Sequence, residues 1–572
     1  MRSTANLRAL LALSFMAALT ACGGGSSGEP PASVTHAGTA SVSGGSSGAA
    51  VQSTVVSVDG ERALVRAELL VTPQSAAAGT PRMRALAAAA PGTQIIVDPG
   101  QQVRLISYAY FNIFTCQIIN SGKFNTPIAP QHGTLQTGSI NLSLTGSCAG
   151  VTAPYTTSYY TWNESDPSPT ATEDPFELQF LTTDGVLLAT TAWNPTVRLL
   201  PVDPEKEPGG CLADDITTCT CPKGTEPCNE AGNPAMVSRG NKFQVEHDLT
   251  AAPHTGISLT RYYNSIDTRV SGFGAGWRSQ WHRSLTVVAG GPVKFTREDG
   301  RTVKFVAGAG GYVSDGDVTS RLSATGSGWL LVRADDSVEA YSADGRLLSI
   351  TTRSGRVTTL AYDVSNRLST VTGPFGHTLG FVYTGNLITQ VTGPDGGLYQ
   401  YQYDAANNLT SVRYPDSTVT TYVHENPFYP ILLTGVVDGL GNRFATYTYD
   451  RANRVASTQH GVGVELTTMT YNPNATTTVT DARGFSHTRT FVVSQGLARP
   501  QALTGAIYPR AGGAAFTYDA KGFVASRTDW NGNVITYTHD ARGNETSRTE
   551  AAGSTVARSF TTTWLPNFNL PS

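Results

Sequence analysis

From about residue 340 onward, apolar and polar positions alternate in short runs that return every 20 residues or so. Aligned on their aromatic pairs, the runs read TLAYDVSNRLSTVTGP, YQYQYDAANNLTSVRYP, ATYTYDRANRVASTQHG, AAFTYDAKGFVASRTDW and ITYTHDARGNETSRTEA. Tyr362, Tyr383 and Tyr403 are spaced by 21 and 20 residues, and Tyr449, Tyr471, Tyr518 and His539 extend the series. Alternation such as Tyr401/Tyr403 or Tyr447/Tyr449 puts both rings on one face of a strand. The Asp that follows (Asp363, Asp404, Asp450, Asp519, Asp540) suits an Asx turn, because its carboxylate can accept from turn amides. Asn366, Asn407, Asn453, Gly522 or Gly543 comes three residues later, where a left-handed backbone is often needed. Each unit therefore predicts one hairpin. No unit can bury its aromatic face alone, so the units must stack into an extended antiparallel sheet. Tyr362, Asp363, Tyr403, Asp404, Tyr449, Asp450, Tyr518 and Asp519 are read as structural residues of the repeat.

Upstream the rhythm changes. TQIIV, QVRLISYAYF, SINLSLTG, SYYTW and VLLATTAW are strand-like runs between turn residues, predicting a β-sandwich over 93–200 with Trp162 and Trp193 in its core. Its strand rhythm resembles immunoglobulin-like modules. Residues 51–92 hold a hairpin turning at Asp59-Gly60, followed by an Ala-rich linker. Residues 22–50 are Gly, Ser, Ala and Pro with few large side chains, a composition that cannot repay its ordering entropy. They read as a flexible tether. The remaining divisions are a Cys-rich connector (201–230), a β-rich segment (231–340) and the repeats (341–572).

The amino terminus adds an address. Arg2 and Arg8 precede an apolar run, Ala9 to Leu19, too short to span a membrane stably. Leu19-Thr20-Ala21-Cys22 then resembles the bacterial lipoprotein signal. The resemblance implies that 1–21 is removed and that Cys22 is acylated, which would tie the chain durably to a membrane. Gly23 after the Cys implies the outer membrane, so the expected location is the bacterial outer membrane or cell surface.

The other six cysteines are expected to be oxidised in an exported chain. Cys116 is expected to pair with Cys148. Cys211, Cys219, Cys221 and Cys228 lie within 18 residues and could hold zinc, but C-x7-C-x-C-x6-C lacks the paired CxxC hooks of such sites. Two disulfides are the favoured reading, with the pairing open.

Composition narrows the function. Charged residues are 15% and hydrophobic residues 40%, while 59 Gly, 31 Pro and 23 Tyr favour turns and strands over helix bundles. A net charge of −3 argues for no nucleic-acid partner. No G-x-S-x-G, H-E-x-x-H or Walker loop occurs. Glu246-His247-Asp248 with His254 and His282 is rejected as a metal cluster, since neighbours on a strand point to opposite faces. No catalytic residue, metal or cofactor is assigned.

The repeats resemble the YD repeats of Rhs proteins, polymorphic toxins and teneurins. Gly232-Asn233-Pro234, the run Gly240 to Leu249, Leu259 to Ser265 and Gly272 to Trp277 resemble the segment that opens Rhs cores. The resemblance covers about 230–572. It implies a β shell, often enclosing a C-terminal toxin. The shell-closing self-cleavage segment is not found in the repeats, and Trp564 to Ser572 resembles the interior of a longer core. The expectation is therefore an all-β chain: an immunoglobulin-like sandwich, then a partial Rhs shell. Its expected function is that of a non-catalytic, surface-anchored scaffold from the N-terminal part of a contact-dependent toxin-delivery protein. Its array is expected not to close. An adhesion protein is the alternative. The expected partners are the membrane through the lipid anchor and, as candidates, carbohydrate, a neighbouring cell surface or a C-terminal toxin segment.

Overall fold

The computed structural model describes residues 229–572, except 462 and 508–509, and upstream of them a series of stretches between residues 50 and 206. The lipobox with Cys22, most of the tether, the Ala-rich linker and Cys116, Cys148, Cys211, Cys219, Cys221 and Cys228 lie outside the described residues. Among the described residues there is no helix; the chain is all-β.

The first unit is a pair of packed sheets. Its strands are β1 (Ala50–Asp59), β2 (Arg62–Leu70), β3 (Thr93–Val97), β4 (Gln102–Asn112), β5 (Ile118–Asn120), β6 (Lys123–Ile128), β7 (Gly133–Ser143), β8 (Thr152–Trp162), β9 (Phe176–Leu181) and β10 (Leu187–Val197). One sheet runs β1-β2-β4-β8-β7, with β5 also on β4; the other runs β3-β10-β9-β6. The β1–β2 hairpin thus joins the sandwich as two further strands. Alternation along β9, buried at every second residue, turns Phe176, Leu178 and Phe180 to the facing sheet. They meet Val103, Leu105, Tyr108, Tyr160 and Trp162 there, while Trp193 of β10 completes the core.

The second unit is a wall: 23 antiparallel strands in sequence order, from Arg321–Ala324 to Arg558–Thr561. Its inner face alternates as the aromatic pattern requires, for example Tyr399 and Tyr401 buried between exposed Leu398, Gln400 and Gln402. Most hairpins carry a bulge beside the motif aromatic. The register slips between Ala361 and Tyr362, Val382 and Tyr383, Gln402 and Tyr403, Thr448 and Tyr449, Thr517 and Tyr518, and Thr538 and His539. The extra residue is on the returning strand: Ser369, Thr389, Thr410, Ala456, Ala525 or Thr546. A bulge sharpens the local twist, so the motif curves the sheet as well as pairing it.

Segment 232–305 lies inside that curve. Its Leu259, Tyr263, Phe273, Trp277 and Phe295 share one core with Val371, Val391, Leu409, Val412 and Tyr422 of the wall. The later part of the wall comes back beside its own beginning. Arg499 pairs with Asp317 at 2.7 Å, and Gly316 N–H donates to Gln495 Oε1 at 3.1 Å. Asn569 N–H donates to Asp336 Oδ2 at 2.8 Å.

Candidate functional site

The repeat residues act first as fasteners. The Asp363 carboxylate accepts from the Ser365 and Arg367 N–H groups, both at 2.9 Å. Asp404, Asp450 and Asp519 accept likewise from the residues two and four places on, at 2.9–3.0 Å. Asn366, Asn407 and Asn453 have φ of 61°, 63° and 60°, left-handed values that Asn tolerates better than most residues. The tyrosine hydroxyls then tie each hairpin to the one before. Tyr362 donates to the Leu347 carbonyl at 2.8 Å, Tyr403 to Ile388 at 2.8 Å, Tyr449 to Leu433 at 2.6 Å and Tyr518 to Pro500 at 2.6 Å. Where Tyr is replaced, His424 does the same to Leu409 at 3.2 Å. Burial pushes the Tyr362 phenol up to about 12, so these hydroxyls stay protonated donors.

Where segment 232–305 meets the wall, the contact is polar at its centre. Arg261 and Asp248, both fully buried, form a fork with N···O distances of 2.5 and 2.8 Å. The wall supplies the remaining partners: Tyr401 donates to Asp248 at 2.8 Å, Tyr414 to Asp248 at 3.3 Å, and Arg261 to Tyr422 at 2.9 Å. The guanidinium lies 4.6 Å from the Trp277 ring and 5.4 Å from the Tyr422 ring. Burial opposes the Arg261 charge, but Asp248 beside it holds the pKa well above the ordinary value. Burial also pushes the phenols of Tyr401 and Tyr422 well above theirs. Lys242, also buried, donates to the carbonyls of Asn233 and Phe243 and to Gln244 Oε1 at 2.7–2.8 Å. It lies 4.3 Å from the Tyr447 ring.

The histidines and acids of the rejected metal cluster are scattered among separate partners. His247 bonds Thr260 at 3.1 Å, His282 bonds Ser279 at 2.7 Å, and Glu246 accepts from Gln244 at 3.0 Å. A bulge between His247 and Leu249 accompanies the turn of Asp248 toward Arg261. That ion pair was missed from sequence. The available signal was an arginine between Leu259 and Tyr263, in the apolar phase of its strand.

Two further junctions have the same character. Lys206, 3% exposed, pairs with Asp317 at 2.6 Å and Asp315 at 2.8 Å, and donates to the Gln495 carbonyl. With Arg499 on Asp317, it clasps a late strand of the wall, Leu497–Ile507, to the wall's beginning. The sandwich is seated on a repeat turn: Arg451 donates to the Leu105 carbonyl at 2.6 Å and Arg454 to Ile96 at 3.0 Å. Arg104 lies 3.6 Å over the Phe428 ring.

One open groove, of about 580 Å³, is lined by Asn233, His460, Glu465, Thr467, Asp481 and Arg483. His460 lies 3.6 Å from Glu465, and Phe444 stands edge-on to it at 5.1 Å. Among the described residues no group of His, Cys, Asp and Glu could hold a metal ion.

The family of RHS repeats matches at 341–378, 383–419 and 513–555. The chain carries RHS repeats in these three places. Ahead of those RHS repeats, 232–305 matches a domain of unknown function, DUF6531, and these are the residues that fill the curved wall. No curated protein matches. Among solved structures, the chain is similar to a TcdB2-TccC3 complex without its hypervariable C-terminal region. The identity is 12% and the TM-score 0.30, covering 71% of this chain and 27% of that one. A Photorhabdus luminescens Tc holotoxin pore shows 11% identity and a TM-score of 0.30, covering 77% and 27%. The chain thus spans about a quarter of the length of these chains.

Proposed function

We propose that this chain is a non-catalytic RHS-repeat scaffold for contact-dependent toxin delivery, anchored by lipid at Cys22 on the outer surface of a bacterium. The observation that carries the reading is a change along the wall's inner face. Where DUF6531 fills the curve, inward positions hold buried Val371, Leu409 and Val412. In the last units the equivalent positions hold Arg527, Glu545 and Arg548, half exposed beside Phe516 and Tyr537. That part of the wall has room, and polar chemistry, for further polypeptide such as a toxin segment. The charged groups at the junctions support a scaffold rather than an enzyme, because they are used in fastening.

Co-culture on a solid surface tests this. Cells carrying the gene should outcompete neighbours lacking it. Deleting 232–572 should remove the advantage, and Cys22→Ser should remove it by releasing the protein from the membrane. Equal competition with and without the gene would overturn the proposal. The groove beside His460 and Phe444 favours a second reading, adhesion to carbohydrate, since it combines an aromatic edge with polar donors and acceptors. Binding on a glycan array that is lost in Glu465→Ala would favour it.

A further inference from the structure

Sheet edges expose unpaired N–H and C=O groups, and proteins blunt them with charge, proline, bulges or short length. Among the described residues, six of the seven edge strands of the sandwich and the wall are blunted, β5 by its length of three residues. β1 has a bulge between Val55 and Ser57. β3 has five residues and leads into Asp98. β6 carries Lys123, Pro127 and a register shift between Asn125 and Ile128. The wall's first and last strands have four residues each, with Arg321 in one and Arg558 in the other.

β7 is different. Its sequence, GTLQTGSINLS, has 11 residues with no charge and no proline. It pairs with β8 without a break from Gly133↔Trp162 to Ser143↔Thr152. It ends its sheet, and among the described residues no strand pairs with its other side. The free edge is about 37 Å long at ~3.4 Å per residue. Thr134, Gln136, Thr137, Ser139 and Asn141 along it are exposed.

We infer that β7 is an association edge, and that its occupant is β7 of a second copy of this chain, paired antiparallel about a two-fold axis. The charge pattern selects this occupant. In a two-fold pair, residues near the strand centre face their own counterparts, so any charge there would meet its like. A strand without charge meets that condition. A foreign strand would be chosen by charges or side-chain pockets, and β7 offers no charge to read. The pairing would join two sandwiches into one continuous sheet while leaving both walls untouched.

Two differently tagged copies of the full chain, co-expressed and purified in detergent, test the inference. Wild-type copies should co-purify. Thr137→Lys in both copies should lower the co-purified fraction about fivefold, the factor expected for ~1 kcal/mol of like-charge repulsion across a strand pair. Thr137→Glu in both should do the same. A Thr137→Lys copy with a Thr137→Glu copy should recover the wild-type yield, which a folding defect could not do. Failure of wild-type copies to co-purify, equal yields in all combinations, or no recovery in the mixed pair would each overturn it. A wild-type chain that stays single while binding an extended peptide at β7 would also overturn it, in favour of a foreign strand.

Discussion

The hairpin at 399–413 and the hairpin at 534–550 are built from one motif, yet they live in different surroundings. The first buries Tyr401, Leu409 and Val412 against DUF6531 residues. The second leaves Tyr537, Glu545 and Arg548 half exposed, with Arg548 paired to Glu550 at 3.2 Å. Both keep the aspartate turn and the bulge. The motif's turn chemistry therefore builds the strand pair, while whatever lies inside the curve decides the inward residues.

The largest expected effects come from breaking the filled part. Arg261→Ala would strand Asp248 as a buried charge, at a cost of about 3–5 kcal/mol. Val412→Arg, which gives the first hairpin the second's residue, should cost a similar amount by burying an unpaired guanidinium. Both should appear as faster hydrogen exchange across 241–449. Exchange rates unchanged from wild type would show that the core tolerates charge and would erase the distinction between the hairpins.

Acid should act next, and again mainly on the filled part. Burial lowers His282 to about 3 and His487 to about 4, while an unfolded histidine takes its proton near 6.5. The unfolded state then binds more protons, so stability is full above pH 6.5 and falls as pH drops toward those values. Backbone N–H groups hold Asp363 and Asp438 below the ordinary 3.8, which adds a further loss at lower pH. Urea midpoints between about pH 7 and about pH 4.5 should decline for wild type and decline less for His282→Gln. Parallel curves would remove His282 from this account.

Smaller changes sharpen the comparison. Tyr403→Phe deletes a hydroxyl bound to the Ile388 carbonyl and should cost about 1 kcal/mol, whereas Tyr537→Phe should leave the urea midpoint where it was. A matching loss at both would mean that the last hairpin is packed like the first. The smallest effect is expected for Arg527→Val, which places a first-hairpin side chain in the open part. Its midpoint should stay within about 0.5 kcal/mol of wild type, and a large drop would place Arg527 in a structural pairing.

What could be read from sequence was what is local. The period, the Asp turn and the left-handed Asn lie within a few residues of one another, so spacing alone exposes them. The all-β class followed from the same alternation. The tyrosine hydroxyls reach carbonyls 15 to 18 residues back, a distance at which alternation reports the face of a ring but not its partner. Asp248 to Tyr401 spans 153 positions and Lys206 to Asp317 spans 111. Nothing in spacing carries such pairs. A charged residue in the apolar phase of a strand was the one trace they left, at Arg261.

The clasp of Lys206, Asp317 and Arg499 has a consequence for how such a chain can change in evolution. Adding or removing one hairpin of about 20 residues between Asp317 and Arg499 would rotate every later turn past its mate by one unit. Arg499 would then meet a different stretch of the wall, and Asp317 would lose a buried partner. Single-unit duplications, the commonest accident in a tandem array, should therefore be purged inside this interval. The seam works as a counter, and the number it keeps is the hairpins in one circuit.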